Sequence, residues 1–462
     1  MIKHDYLTLI PKILGVAVLV GAGLFAWSRT MDKKPVSETR IGHPSWSRNA
    51  NIYEVNVRQY TPEGTFKAFD KHLPRLKQMG VDILWLMPIN PIGIENRKGT
   101  LGSYYAVKDY LGVNPEFGTL DDFKKLVKHA HELGMHVIID WVANHTSWDN
   151  NLVKTHPEWY THDSTGKIIP PVADWKDVAD LDYNQKGLWK YMTDALIYWV
   201  KEANIDGFRC DVAGMVPIEF WNEAVPEVKK VKNVFMLAEW ETPEMHTIAF
   251  DMTYSWEIYK TMNDIAKGKK TAEDLDAELA KDKASYPPDA YRMHFTSNHD
   301  ENSWNGSEYE RMGDAAKTFA VLCYTLPGFP LIYSGQESAF NHRLEFFDKD
   351  NIVWGNYSLG KFYTTLNRMK AGNPALGNGS AGGSMVKVVT DNDKNIFAFL
   401  RVKDSNTIFV IMNLSAVSHN VILKGKDYAG DYSALFGTEQ KHFKDDESIT
   451  LKPWEYKVFL KK

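Results

Sequence analysis

The chain has 462 residues, 44% apolar and 24% charged, a globular composition long enough for more than one core. Its formal net charge of −5, with no basic stripe, excludes nucleic acid as a partner. Cys210 and Cys323 each lie inside an apolar run, so a disulfide framework is excluded and buried thiols are expected.

The first segment is a leader. Residues 13–27 (ILGVAVLVGAGLFAW) are apolar, preceded by Lys3 and Lys12 and followed by Arg29, Lys33 and Lys34. A spanning helix needs about 20 apolar residues and a signal-peptide core roughly 7 to 15, so the length favours export. Ala26 and Ser28 supply a small-x-small cleavage pattern. Residues 1–28 are therefore expected to be a signal peptide, with an uncleaved membrane anchor through 13–27 as the alternative. The bulk of the chain is placed outside the cytoplasm, exported or tethered. No cysteine follows the run, which excludes lipoprotein attachment, and 29–48 has the texture of a polar linker.

From residue 49 to 372 short apolar runs alternate with amphipathic stretches, the rhythm of βα units. Strands are predicted at 51–57, 82–87, 136–141, 207–211, 234–239, 248–252, 292–297 and 329–334. Helices are predicted at 66–79, 119–133, 187–202, 219–229, 256–267, 312–325 and 358–371. In 119–133, Leu120, Phe123, Leu126, Val127, Ala130 and Leu133 recur at helical spacing, and Gly134 stops the helix. Eight strands alternating with helices fit a (β/α)₈ barrel, an α/β fold, better than an open doubly wound sheet. No G-x-G-x-x-G follows the first strand, which argues against a dinucleotide site. The third strand is followed by 146–186, a stretch without helical period that reads as an inserted subdomain. From 373 to 462 alternating runs such as NIFAFLRV and TIFVIMNL, after a Gly-rich patch, predict an appended antiparallel β-sandwich.

Three of the apolar runs end in an acid: GFRCDVA in Asp211, VFMLAEW in Glu239 and HFTSNHD in Asp300. A carboxylate at the C-terminal end of a buried parallel strand does little for stability and much for chemistry. Cleaving an acetal with retention needs a nucleophilic carboxylate and a protonated carboxyl on opposite sides of the bond. Arg209 stands two residues before Asp211, on the same face of the strand, where a guanidinium favours the ionised acid. Glu239 closes an apolar run, a setting that raises a carboxyl pKa and suits a general acid. Asp300, beside Asn298 and His299, forms a cluster able to grip vicinal hydroxyls. The 15 Trp suit stacking on flat sugar rings, although core packing accounts for most of them.

Together these strings resemble the α-amylase family, glycoside hydrolase family 13, over roughly residues 50 to 460. DWVANH (140–145), GFRCDVA (207–213), LAEW (237–240) and FTSNHD (295–300) stand in the order of that family's four core segments. GSYYAVKDYLGVNPEFGT from Gly102, ADLDYN from Ala179 and GFPLIYSGQE (328–337) are similar to its flanking signatures. The resemblance implies Asp211 as nucleophile, Glu239 as acid/base and Asp300 as the acid that holds and distorts the reacting sugar. It likewise implies His145 and His299 as hydroxyl ligands, Tyr105 as a stacking platform and Arg209 as a substrate-site residue. Asn144 and Asp180 match positions that hold a structural calcium, for which oxygen ligands are suited. One departure stands out: where many members carry Lys-His, this chain has Gly214 and Met215.

The resulting expectation is a retaining hydrolase of α-1,4 links in starch or maltodextrin, with α-glucan as its partner and calcium as a structural ion. A transglycosidase of the same family is the first alternative. A non-catalytic ectodomain partnering a membrane protein is the second, against which all three acids are retained. Trp454, the one Trp of the C-terminal region, is assigned to core packing rather than starch binding.

Overall fold

The computed structural model describes residues 42–462; the leader, with the tether expected over 13–27, lies outside the described residues. Among the described residues no helix is long and apolar enough to cross a membrane.

Eight parallel strands close into a barrel, and all eight predicted strands are present. In chain order they are β1 (Ile52–Val55), β2 (Ile83–Leu86) and β3 (His136–Trp141), then, after the insertion pair β4 (His145–Ser147) and β5 (Val178–Asp180), β6 (Gly207–Cys210), β7 (Phe235–Ala238), β8 (Met252–Tyr254), β9 (Tyr291–His294) and β10 (Phe329–Tyr333). The order around the barrel is β1-β10-β9-β8-β7-β6-β3-β2. Nearly every strand residue is buried, because helices cover the outside and side chains fill the interior, so these strands read as unbroken apolar runs. The register carries β6 so close to β7 that a Cβ on Gly207 would fall 2.0 Å from the Phe235 carbonyl oxygen, and glycine is required there.

The helix Leu120–Glu132 is set by its ends: Thr119 and Asp122 form a reciprocal capping box, and Gly134 follows in the left-handed conformation. Its Phe123, Leu126, Val127 and Ala130 face the core. Three sequence expectations shift. The stretch 66–79 breaks into Phe66–Asp70 and Leu73–Met79, with Pro74 in the first turn of the second piece. The strand expected at 248–252 starts at Met252, because Asp251 turns its carboxylate onto the Met236 amide at 2.8 Å. A helix at Ala272–Ser285 was not predicted; only Ala272 and Leu275 of it are buried, so it carries almost no apolar stripe. The last residues assigned to the linker pack under the barrel: Trp46 stacks on His136 at 3.9 Å and His43 reaches Asp251 at 2.6 Å.

The insertion is pinned by β4 pairing antiparallel with β5, His145 opposite Asp180. The C-terminal region folds as β11 (Ser384–Lys387), β12 (Ile396–Lys403), β13 (Asn406–Asn413), β14 (His419–Ile422), β15 (Gly430–Ala434), β16 (Gln440–Phe443), β17 (Ser448–Leu451) and β18 (Tyr456–Lys461). Six of these form one sheet, β11-β12-β13-β18-β15-β16, while β14 and β17 pair separately. Period two decides what each face meets. Phe397, Phe399, Ile408, Val410 and Met412 join the barrel core, whereas Ile396, Ala398, Leu400, Phe409 and Ile411 join a second core with Tyr432, Phe443 and Phe459. Trp454 packs on Phe319 of a barrel helix, as its sequence position suggests.

Candidate active site

The strand ends deliver their acids to one mouth, and Arg209 organises it. Its guanidinium is fully buried; one terminal nitrogen donates to Asp140 Oδ1 at 2.9 Å and to Asp211 Oδ1 at 3.0 Å. The other lies 2.9 Å from Glu239 Oε1, off the line of its N–H bonds, and so makes an ion pair rather than a directed hydrogen bond. Its Nε donates to the Tyr254 hydroxyl at 3.2 Å, and Trp85 lies 5.1 Å from its centre. Asp140, Asp211 and Glu239, from β3, β6 and β7, thus share one cation.

Asp300 joins through His299. The His299 ring lies 3.3 Å from Asp300 Oδ2 and 2.6 Å from the Tyr105 hydroxyl on one side, and 2.5 Å from Glu54 Oε1 on the other. Tyr105 in turn donates to Asp140 Oδ2 at 3.1 Å, closing the circuit back to Arg209. Tyr105 is nearly parallel to Phe346, 6.2 Å away, and Trp304 beyond Phe346 reaches Asp300 Oδ1 at 3.3 Å, giving the mouth an aromatic flank. All seven residues predicted for catalysis and substrate binding, except His145, are linked by these direct contacts. His145 is buried beside Asn144 at 3.3 Å and hydrogen-bonded to the Tyr105 main chain.

The electrostatics are those of crowded acids in a buried place. Burial first, then the Glu239 carboxylate, pushes the Asp211 carboxyl well up, against the pull of Arg209. Burial likewise lifts Asp140 to about 6 despite Arg209. For His299 burial opposes the charge, yet Asp300 and Glu54 together outweigh it and raise the imidazolium to about 9. His145 has no such partner, and burial holds it neutral, down to about 3.

One expectation changes here. The Glu239 carboxylate does not sit in an apolar pocket: besides Arg209 it accepts the Val212 amide at 2.7 Å. The apolar run ends with the strand, and the side chain reaches past it into the polar mouth. Val212 donates from a left-handed conformation, φ 36°, rare for a β-branched residue and strained in the way functional turns are. Sequence reading also passed over Asp140 and Glu54. Asp140 stood in a recognised string, but Glu54 sits inside the run IYEV with no pattern to mark it.

Asn144 and Asp180 are adjacent through the β4–β5 pair, since the Leu181 amide donates to the Asn144 carbonyl at 3.1 Å. Burial, and then Asp182, raises the Asp180 carboxyl, an environment that a cation relieves. Among the described residues no group of three His, Cys, Asp or Glu could hold a metal, so any ion here relies on amide and carbonyl oxygens as well.

The family model described as "Alpha amylase, catalytic domain" matches residues 45–171 and 158–355. The chain belongs to the α-amylase family. It is 35% identical to an alpha-amylase from Lactobacillus plantarum, TM-score 0.81, over 90% of this chain and 99% of that one. With a noncanonic maltogenic alpha-amylase, AmyB, from Thermotoga neapolitana it shares 32% identity, TM-score 0.82, over 89% and 98%. It is also 28% identical to alpha-amylase MalA of Haloarcula japonica and 28% identical to an alpha-1,4-glucan:maltose-1-phosphate maltosyltransferase of Picrophilus torridus, over 81% and 85% of this chain. It spans 56% and 65% of those two longer relatives.

Proposed function

We propose that this α-amylase-family protein is a retaining glycoside hydrolase that cleaves α-1,4-glucosidic bonds of starch- or maltodextrin-type glucans. The observation that carries the reading is Arg209 gripping Asp140, Asp211 and Glu239 at the barrel mouth, with Tyr105, His299 and Asp300 joined to it in a chain that starts at Asp140. In this mechanism Asp211 attacks the anomeric carbon while Glu239 protonates the departing oxygen, and a glycosyl ester forms on Asp211. Glu239 then takes a proton from water, which releases the sugar. Cleavage starts from the form in which Glu239 carries the proton and Asp211 is ionised. Charged His299 with Asp300, and neutral His145, are suited to hold hydroxyls, and Tyr105 to stack on the reacting sugar.

The oligosaccharide substrate is supported by relatives: a Geobacillus thermoleovorans enzyme of this fold was solved with acarbose, and AmyP with maltose and with maltotriose. Similarity to the maltosyltransferase keeps transfer to a sugar acceptor as the second reading. A product profile on soluble starch, pullulan and maltoheptaose decides. Shorter products alone mean hydrolysis, longer ones mean transfer, and no reducing sugar from any of them refutes both. We further propose that Asn144 and Asp180 hold a structural calcium that braces the β4–β5 pair. A chelator is then expected to lower the unfolding temperature, and added calcium to restore it; an unmoved transition rejects the site. Export or tethering through the leader remains our proposal from sequence, checked by cell fractionation and N-terminal sequencing.

A further inference from the structure

Glu54 is an acid where β1 has no structural use for one. Its strand neighbours Ile52, Tyr53 and Val55 pack into the core, and Glu54 itself has no exposed surface. Its backbone is held firmly, since the Ser334 amide and hydroxyl both donate to the Glu54 carbonyl, at 3.1 and 2.6 Å. Of the carboxylate, Oε1 meets Nδ1 of the His299 ring at 2.5 Å, while Oε2 has no hydrogen-bond partner among the described residues. Burying a half-paired carboxylate costs stability, and an apolar side chain would suit the strand better. The use of Glu54 lies in what it does to His299.

The hydrogens on that ring follow from its partners. Asp140 accepts from Arg209 and from the Trp85 indole, which can only donate, and Tyr105 gives it the single proton of its hydroxyl. At 2.6 Å from His299 Nε2 the Tyr105 oxygen is therefore an acceptor, so Nε2 carries a hydrogen. A neutral imidazole with its hydrogen on Nε2 would turn a bare lone pair on the Glu54 carboxylate, which favours a second hydrogen on Nδ1 instead. Resting on the retaining-hydrolase reading, we propose that Glu54 is a positioning residue: it fixes the His299 ring and keeps both nitrogens protonated, so that Nε2 faces Asp300 and the reacting sugar as a donor. The other groups facing the ring are Tyr105, Asp300 at 3.3 Å, Trp85 edge-on at 5.8 Å, and the charge of Arg209, which opposes Glu54.

Glutamine at position 54 keeps the shape but can hand Nδ1 an N–H, which permits the neutral ring. Glu54→Gln is expected to lower kcat on maltoheptaose about thirtyfold, the scale of one charge-assisted hydrogen bond. KM should change by less than about threefold, because the grip tightens only as charge develops in the transition state. The unfolding midpoint should stay or rise, and so should that of Glu54→Met, which removes the carboxylate and must lose at least as much turnover. The deciding comparison is made in a His299→Gln background. There Glu54→Gln should cost less than about twofold, since the group it acts through is gone. Losses that multiply would place the action of Glu54 elsewhere, and a fall in midpoint matching the fall in turnover would make it a structural acid. Wild-type turnover in Glu54→Gln would mean that no charged ring is needed. Each of these outcomes overturns the proposal. If the wild-type enzyme releases no sugar from maltoheptaose, the hydrolase reading falls and this role falls with it.

Discussion

Buried acids at the two rims of the barrel are held in different electrostatic states, as Asp206 and Asp251 at one and Asp140, Asp211 and Glu54 at the other show. At the lower rim, before β6, Asp206 accepts the Val137 amide at 2.7 Å and pairs with His131 at 2.7 Å and Lys232 at 2.9 Å. Before β8, Asp251 accepts the Met236 amide and pairs with His43 and Lys229. Burial opposes ionisation at both, yet their partners win and both carboxyls are driven below the usual range. At the upper rim burial outweighs the donors that Asp140, Asp211 and Glu54 meet, and drives all three up. Among the described residues one Glu54 oxygen and one Arg209 nitrogen have no hydrogen-bond partner, the mark of a site built for something other than stability. A satisfied acid closes a barrel; an unsatisfied one waits for substrate.

Breaking each rim should therefore cost a different property. The largest effect is expected from Asp211→Asn, which should lower turnover on maltodextrin by roughly 10⁴-fold or more while the unfolding midpoint stays or rises. A fall in stability as large as the fall in activity would erase the distinction between the rims. Next, Asp206→Asn should cost about 2 kcal/mol in denaturant unfolding, discounted because His131 and Lys232 are partly exposed, with turnover nearly unchanged. Its folded-state pKa lies below the unfolded value of about 3.9, so that stabilisation is full above pH 4 and fades in acid. The mutant and wild-type stability curves should converge as pH falls.

The smallest effect carries the opposite sign. Asp140 titrates at about 6 in the fold, above its unfolded value of about 3.9, so the folded state binds more protons between those limits. Acidification from pH 6 to 4 should therefore stabilise the upper rim, and Asp140→Asn should flatten that part of the stability–pH curve. An unchanged slope would mean that Asp140 is ionised throughout and that Arg209 fully satisfies it.

Much of the site was legible in the chain because its acids terminate apolar runs, where local pattern and chemistry coincide. Glu54 and the Phe346 and Trp304 flank were not, since they reach the mouth from β1 and from loops whose strings carry no periodicity. The helix at Ala272–Ser285 escaped for a related reason: a helix held by capping and surface polarity has no stripe to read.

What the sequence determined by itself was the alternation of eight short apolar runs with amphipathic helices, the acids at their ends and a sheet-forming tail, because burial periodicity and strand-end chemistry are local. Tertiary structure alone decided that two of those acids, Asp211 and Glu239, share one guanidinium with Asp140, and that Glu239 meets a strained amide instead of an apolar pocket. Those outcomes depend on register and on side chains brought together across the barrel, distances that no linear spacing encodes.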